Sequence, residues 1–289
     1  MFREYAIEPE AISTWEQFRF LDSLFGWSQG RLISELPSSW RLDVIKNIHR
    51  PIEQAKVTEK MRNWHLLNRK ASDLFNSTEQ WFVNALVEHG RLNFEKIVVK
   101  NLPTPANHLL DFDDFDSTTL HSPDGIVPRQ AKDMALAMKL LLQTGKVIKF
   151  IDPHFDLTKK RFLKPFTEFV QTIVASPYKR DSFHIEIYTG AKHEYEANEK
   201  AKDITLKIGS LTKLAGIKIF IYILKNDQMH NRYVMSELTG VTWPNGLDES
   251  SNQGDNDCVS IMQQAEYDKL FKVYSATCPI RVLDSRVIH

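Results

Sequence analysis

Cysteine is nearly absent: Cys258 and Cys278 are the only two in 289 residues. Two thiols cannot build a disulfide framework, and their separation matches no metal-ligand spacing. Such usage fits a reducing compartment, so a cytoplasmic protein is expected. The amino terminus, Met1-Phe2-Arg3-Glu4-Tyr5, has no apolar signal core. No run approaches the roughly 20 apolar residues that span a bilayer, so no membrane span is expected. Net charge is missing too. Lys plus Arg and Asp plus Glu stand at 37 each, which removes a global electrostatic case for nucleic acid or membrane. There is no Gly-rich phosphate loop and no Gly-x-Ser-x-Gly elbow, so nucleotide hydrolases and serine hydrolases are poorly supported. His193-Glu194 lacks the second histidine of a zinc-protease helix. The acidic run at 111–116 places Phe115 and Asp116 where an EF-hand loop needs a ligand and a glycine, so it reads as a solvated loop. Neither a metal nor a cofactor is expected.

What remains is an ordinary globular composition with ample apolar residues for a core. The length suits one large domain with an appendage. Charge is unevenly spread: residues 146–226 carry an excess of basic groups and 227–289 an excess of acidic ones. The middle of the chain is therefore where a basic, nucleic-acid-facing surface would form.

Residues 1–90 read as a helical amino-terminal domain. Trp15, Phe18, Leu21 and Phe25 recur at helical spacing, and Ser13 or Thr14 is placed to cap. Leu32-Ile33 and residues 40–45 read as a second short helix, 53–74 as a long polar one, and 77–90 as another. From 91 to 289 the pattern becomes α/β. Strands are expected at 94–99, 147–151, 183–188 and 217–224, and helices at 129–144, 159–174 and 194–214. That alternation predicts a sheet with helices on its faces. Short strands at 233–235 and 241–243, a mobile polar loop at 244–257, a helix at 262–273 and a last strand at 280–283 complete the scheme.

Two segments could carry chemistry. In Ile148-Lys149-Phe150-Ile151-Asp152-Pro153-His154-Phe155-Asp156, an apolar strand ends in a polar loop, and ligand sites in open α/β sheets form beyond the carboxyl ends of strands. Asp152 either satisfies backbone amides of the turn or meets a ligand, and His154 is the less easily dismissed residue. Lys159, Lys160 and Arg161 follow directly, as a solvated charge run or as phosphate contacts, and Arg129 at a helix start could approach the same place. The second segment is His230-Asn231-Arg232-Tyr233-Val234-Met235-Ser236-Glu237. On extended chain His230 and Arg232 project from one face. An imidazole beside a guanidinium suits a phosphoryl group, one part to attack it and one to hold it.

This pattern, His-x-Arg, four residues, then Glu, resembles the phospholipase D superfamily signature of His-x-Lys, four residues, then Asp. The apolar strand before it and the 147–153 strand end resemble the same superfamily's sheet, so the resemblance extends over about 94–289. It implies a phospholipase D-like mixed sheet flanked by helices, and a metal-independent phosphodiesterase of nuclease type. His230 would be the nucleophile, Arg232 the transition-state clamp and Glu237 the support of a histidine. The family pairs two such motifs and this chain has one, with Arg for Lys and Glu for Asp. A homodimer supplying the second histidine, His154 supplying it, or a non-catalytic subunit binding a protein or nucleic-acid partner all stay open. Resemblance to single-motif bacterial members implies a place in a defence system, as effector or accessory subunit.

Overall fold

The computed structural model describes residues 1–70, 75–102, 106–114, 116, 120–121, 125–211, 216–275 and 279–288. The protein is mixed α/β, with sheets flanked by helices. It divides into two units: residues 2–123 with 177–179, and residues 124–176 and 180–289 with Met1.

The amino-terminal unit contains β1 (Arg3–Ile7), α1 (Trp15–Leu24), β2 (Arg31–Ile33), α2 (Trp40–Asn47), α3 (Pro51–Arg62), α4 (Trp81–Arg91), β3 (Lys96–Val99) and β4 (Leu109–Asp111). Its strands form a parallel sheet in the order β2-β1-β3-β4. Tyr5, Ile7 and Val98 pack with Phe18, Trp40 and Val57 of the first three helices. Ala6, Ile97 and Val99 face the other way, against Ala85 and Leu86 of α4. The expectation of a mostly helical domain ending at residue 90 is therefore corrected. β1 and β2 lie inside that range, and β3 and β4 extend their sheet. Tyr5-Ala6-Ile7 and Leu32-Ile33 are short and buried. A short strand covered on both faces shows no apolar alternation to separate it from helix.

Local signals were clearer at α1. Thr14 accepts a hydrogen bond from the Gln17 amide at 3.2 Å, and Gln17 accepts one from the Thr14 amide at 3.1 Å, a reciprocal cap. α3 stops at Arg62, and residues 71–74 of the longer helix expected there lie outside the described residues. Buried Arg69 grips both Glu4 oxygens, at 2.8 and 2.7 Å, and Glu88 at 3.1 Å. The Tyr178 hydroxyl donates to the same Glu4 at 2.6 Å, which ties 177–179 into this unit.

The carboxyl-terminal unit contains β5 (Gly125–Pro128), α5 (Ala131–Ala137), α6 (Lys139–Thr144), β6 (Val147–Ile151), α7 (Lys160–Val174), β7 (His184–Ala191), α8 (Glu194–Gly209) and β8 (Lys218–Lys225). β9 (Tyr233–Met235), β10 (Gly240–Thr242), β11 (Asn256–Ile261), α9 (Gln264–Val273) and β12 (Val282–Ile288) follow. The sheet order is β12-β8-β7-β6-β9-β10-β11-β5. β6, β7 and β8 are parallel, and the remaining neighbours are antiparallel.

Strand alternation distributes the core. Phe150 stacks on Phe169 and meets Phe166 edge-on, both from α7. Lys149 turns to the opposite face, where it pairs with Glu186 at 3.1 Å and sits 4.2 Å from the Phe271 ring centre of α9. α7 also carries Pro165 within its length. Proline has no N–H to give the carbonyl four residues back, so the Arg161 carbonyl is left over. The Glu249 amide donates to it at 2.8 Å, which docks the polar loop on the helix.

Candidate functional site

Topology brings the 152–156 loop, His230 and Arg232 to one end of the eight-stranded sheet. β6 and β8 run parallel, so Asp152 and Asn226 leave the sheet at the same end. From there residues 226–232 travel back past β7 to β6, where Tyr233 pairs with Ile151. The crossing is close. A Cβ at Gly190, near the end of β7, would stand 2.4 Å from Asn226 Oδ1 and 3.1 Å from its Cα. His230, Arg232 and the 152–156 loop thus share the carboxyl rim, where α/β sheets place ligands.

On that rim Asp152 is structural. It is 1% exposed, and its two oxygens accept the amides of His154 at 2.8 Å and Leu247 at 2.9 Å. Gly246 approaches the same carboxylate with φ +109°, a conformation and a spacing (3.1 Å from Asp152 Oδ2 to a notional Cβ) that glycine alone meets without strain. Asp156 accepts from the Thr158 amide and hydroxyl, at 3.0 and 2.6 Å, and pairs with Lys159 at 3.2 Å. Burial works against the ionised form of Asp156, but those hydrogen bonds outweigh it and leave its pKa lowered.

Of the four basic residues expected to meet substrate, Arg129 and Arg161 hold the loop after β10, while Lys159 pairs with Asp156. Arg129 donates to Asp248 at 2.8 Å and to the Asn245 and Asp248 carbonyls. Arg161 lies 3.6 Å from Asp248, and Lys164 lies 2.5 Å from Glu249. The Ser250 amide donates to the Arg129 carbonyl at 2.8 Å. The segment expected to be mobile is therefore a docked loop over 244–255, followed by β11, which sequence periodicity did not reveal. Lys160 is exposed at the start of α7.

Arg232 differs from the others. Its side chain makes no hydrogen bond or ion pair among the described residues, although its Nε is buried. Its carbonyl accepts from the Trp243 amide at 2.9 Å, which fixes its backbone. His154 and His230 are both exposed, and among the described residues neither ring is hydrogen-bonded to a carboxylate. Glu237 is not at this site. Its carboxylate accepts the Lys146 amide at 2.9 and 3.0 Å and the Val147 amide at 3.0 Å, at the amino end of β6. The reason is the geometry of β9: five residues of extended chain separate Arg232 from Glu237 by roughly 16 Å.

Lys200 joins the rim unannounced. Its ammonium donates to Thr189 Oγ1 at 2.8 Å and to the Gly190 carbonyl at 2.9 Å. Burial lowers its pKa to about 8, against the opposing pull of Asp156 and Asp152. The available signal was position. Ala197, Ala201, Ile204 and Ile208 form the buried stripe of α8, and Lys200 falls within that stripe.

Among the described residues, no group of three or more His, Cys, Asp or Glu is placed to hold a metal ion. No helix among them is long and apolar enough to cross a membrane. No protein-family model and no curated protein matches the chain. Among solved structures, the chain is similar to the archaeal chromatin protein TrmBL2, whose structure is described as showing a novel mode of DNA binding. Identity is 12% and the TM-score 0.29, and the likeness covers 82% of this chain and 66% of that one, just under two thirds of its length. A likeness of that size carries no argument about fold or activity.

Proposed function

We propose that the carboxyl-terminal unit is a phospholipase D-like domain whose rim binds a nucleic-acid phosphodiester and cleaves it through His230. The observation that carries this reading is the isolation of Arg232. Arg129 also keeps a buried Nε unpaired, but Arg129 and Arg161 are both matched by Asp248, whereas Arg232 pairs with no carboxylate among the described residues. A half-buried guanidinium without a partner is costly unless an anion completes it.

In the cleavage step, neutral His230 attacks phosphorus and the P–O bond to the leaving oxygen breaks. Protonated His154 gives that oxygen its proton. Arg232 neutralises charge on the non-bridging oxygens as it builds. Neutral His154 then takes a proton from water, the water oxygen bonds to phosphorus, and the phosphohistidine bond breaks to restore His230. Asp152 fixes the His154 backbone through its amide and Glu237 braces β6, so both act on the scaffold.

A second reading has its own support. Among the described residues neither histidine ring has a carboxylate to set its tautomer, and the carboxylate of the motif is spent on β6. A non-catalytic subunit that binds nucleic acid or a protein partner would need Arg232 and no base. Labelled single- and double-stranded DNA and RNA, incubated with the purified chain and a chelator, separate the two. The first reading expects product that disappears in His230→Ala and His154→Ala. Turnover that survives His154→Ala alone moves the second histidine to another copy of the chain. Binding that needs Arg232 without any product supports the second reading, and neither binding nor product overturns both.

A further inference from the structure

The amino-terminal unit has a crevice of its own. In the order β2-β1-β3-β4 the chain leaves β1 toward β2 on one side, while β3 and β4 lie on the other. With all four strands parallel and helices on both faces, the order reverses between β1 and β3, and the connections leaving those two strands diverge. Divergent connections open a gap at the carboxyl ends of the two strands, the usual place for a ligand in such a sheet. An open crevice of about 660 Å³ lies there, within the range of small-molecule sites.

Its walls carry three kinds of chemistry. Trp81 and Phe82, in the first turn of α4, give an aromatic wall, and the Trp81 indole donates to the Leu36 carbonyl at 2.7 Å, so its ring is held in place. Glu8 and Glu10 follow β1. Glu8 accepts the Lys100 amide at 2.7 Å through Oε2, which leaves Oε1 to take a ligand hydroxyl. Lys100 and Asn101 follow β3, and neither side chain makes a hydrogen bond or ion pair among the described residues. Burial raises the Glu8 pKa, and Glu10 beside it adds to the rise, so this carboxyl gains from a hydrogen-bonded partner.

We infer that this crevice binds a ribonucleoside monophosphate moiety, free or at the end of an RNA strand. The base lies against Phe82 and Trp81, the ribose hydroxyls donate to Glu8 and Glu10, and the phosphate pairs with Lys100. A flat apolar face, hydroxyl donors and one anionic group are the three things these walls match together. The site is independent of the rim chemistry at His230.

Calorimetric titration of the full chain with AMP, GMP, CMP and UMP tests it. Saturable binding is expected, weakened about tenfold by Lys100→Ala for nucleotides but unchanged for the parent nucleosides, the scale of one charge-assisted contact. Glu8→Gln and 2′-deoxynucleotides should each weaken binding while the other substitution adds little, since both remove the same contact. A short oligoribonucleotide with a terminal phosphate distinguishes the strand end from the free nucleotide by its relative affinity. His230→Ala should bind nucleotides as the parent chain does, so loss of cleavage and loss of this site are read separately. No saturable binding of any nucleotide, or affinities indifferent to Lys100→Ala and Glu8→Gln in chains that melt normally, would overturn the inference.

Discussion

Lys200 and Asp152 show how a polar residue is held inside a sheet rim, by opposite means. Asp152 is nearly inaccessible, and each of its oxygens accepts a backbone amide. Asp152→Ala strands both N–H groups, so unfolding in denaturant should show a loss of about 2–4 kcal/mol. A change below about 0.5 kcal/mol would mean that the loop amides find other partners. Lys200 has hydrogen bonds but no ion pair among the described residues, and its pKa falls to about 8. Its folded-state pKa is thus below the unfolded value near 10.4. Between these values the unfolded chain binds the extra proton, so stability rises with pH across that window, by up to about 3 kcal/mol. Below pH 8 both states are charged and the cost of burying the ammonium is fully present. Lys200→Met should remove that slope in melting curves taken from pH 7 to 10.5, and an unchanged slope would show that another group titrates.

At the level of elements, the docked loop turns on one proline. Pro165 frees the Arg161 carbonyl, Glu249 takes it, and Asp248 then reaches both Arg129 and Arg161. The amides of Leu247, Glu249 and Ser250 should therefore exchange slowly in a hydrogen-exchange experiment, while exchange at the rate of unstructured chain would contradict the docking. Composition alone reads residues 244–257 as a loose loop, because partners some 90 to 120 positions away leave no local trace. The parallel strands β6, β7 and β8 were legible, since each is an apolar run bounded by helical patterns. β1, β2 and β11 were not: the first two are too short to show a period, and β11 puts Asp257 on its buried face and Cys258 on its exposed one, which hides the alternation. The fate of Glu237 was within reach of sequence reasoning. The same extended-chain geometry that puts His230 and Arg232 on one face carries a residue five positions on to the far end of the strand.

For the whole molecule, a net charge of zero conceals local matching. Arg129, Arg161, Lys159 and Lys164 are each matched by a carboxylate of the same unit, which leaves few cations on the rim to displace counterions. Nucleic-acid binding there should depend weakly on salt, with a log–log slope of about −1 to −2, and a slope near −6 would require a broad basic surface elsewhere. The division at residues 123–124 also changes what each half offers: one parallel sheet with a crevice at its switch point, and one mixed sheet with two histidines and an unpaired arginine on its rim.

The most direct measurement is single-turnover cleavage of labelled RNA and DNA, in chelator, by the parent chain and by His230→Ala. If His230 is the nucleophile, the parent chain yields product through a phosphohistidine that survives an alkaline quench and is lost in acid, and His230→Ala yields none while it melts and binds as before. Equal product from the two chains would contradict it.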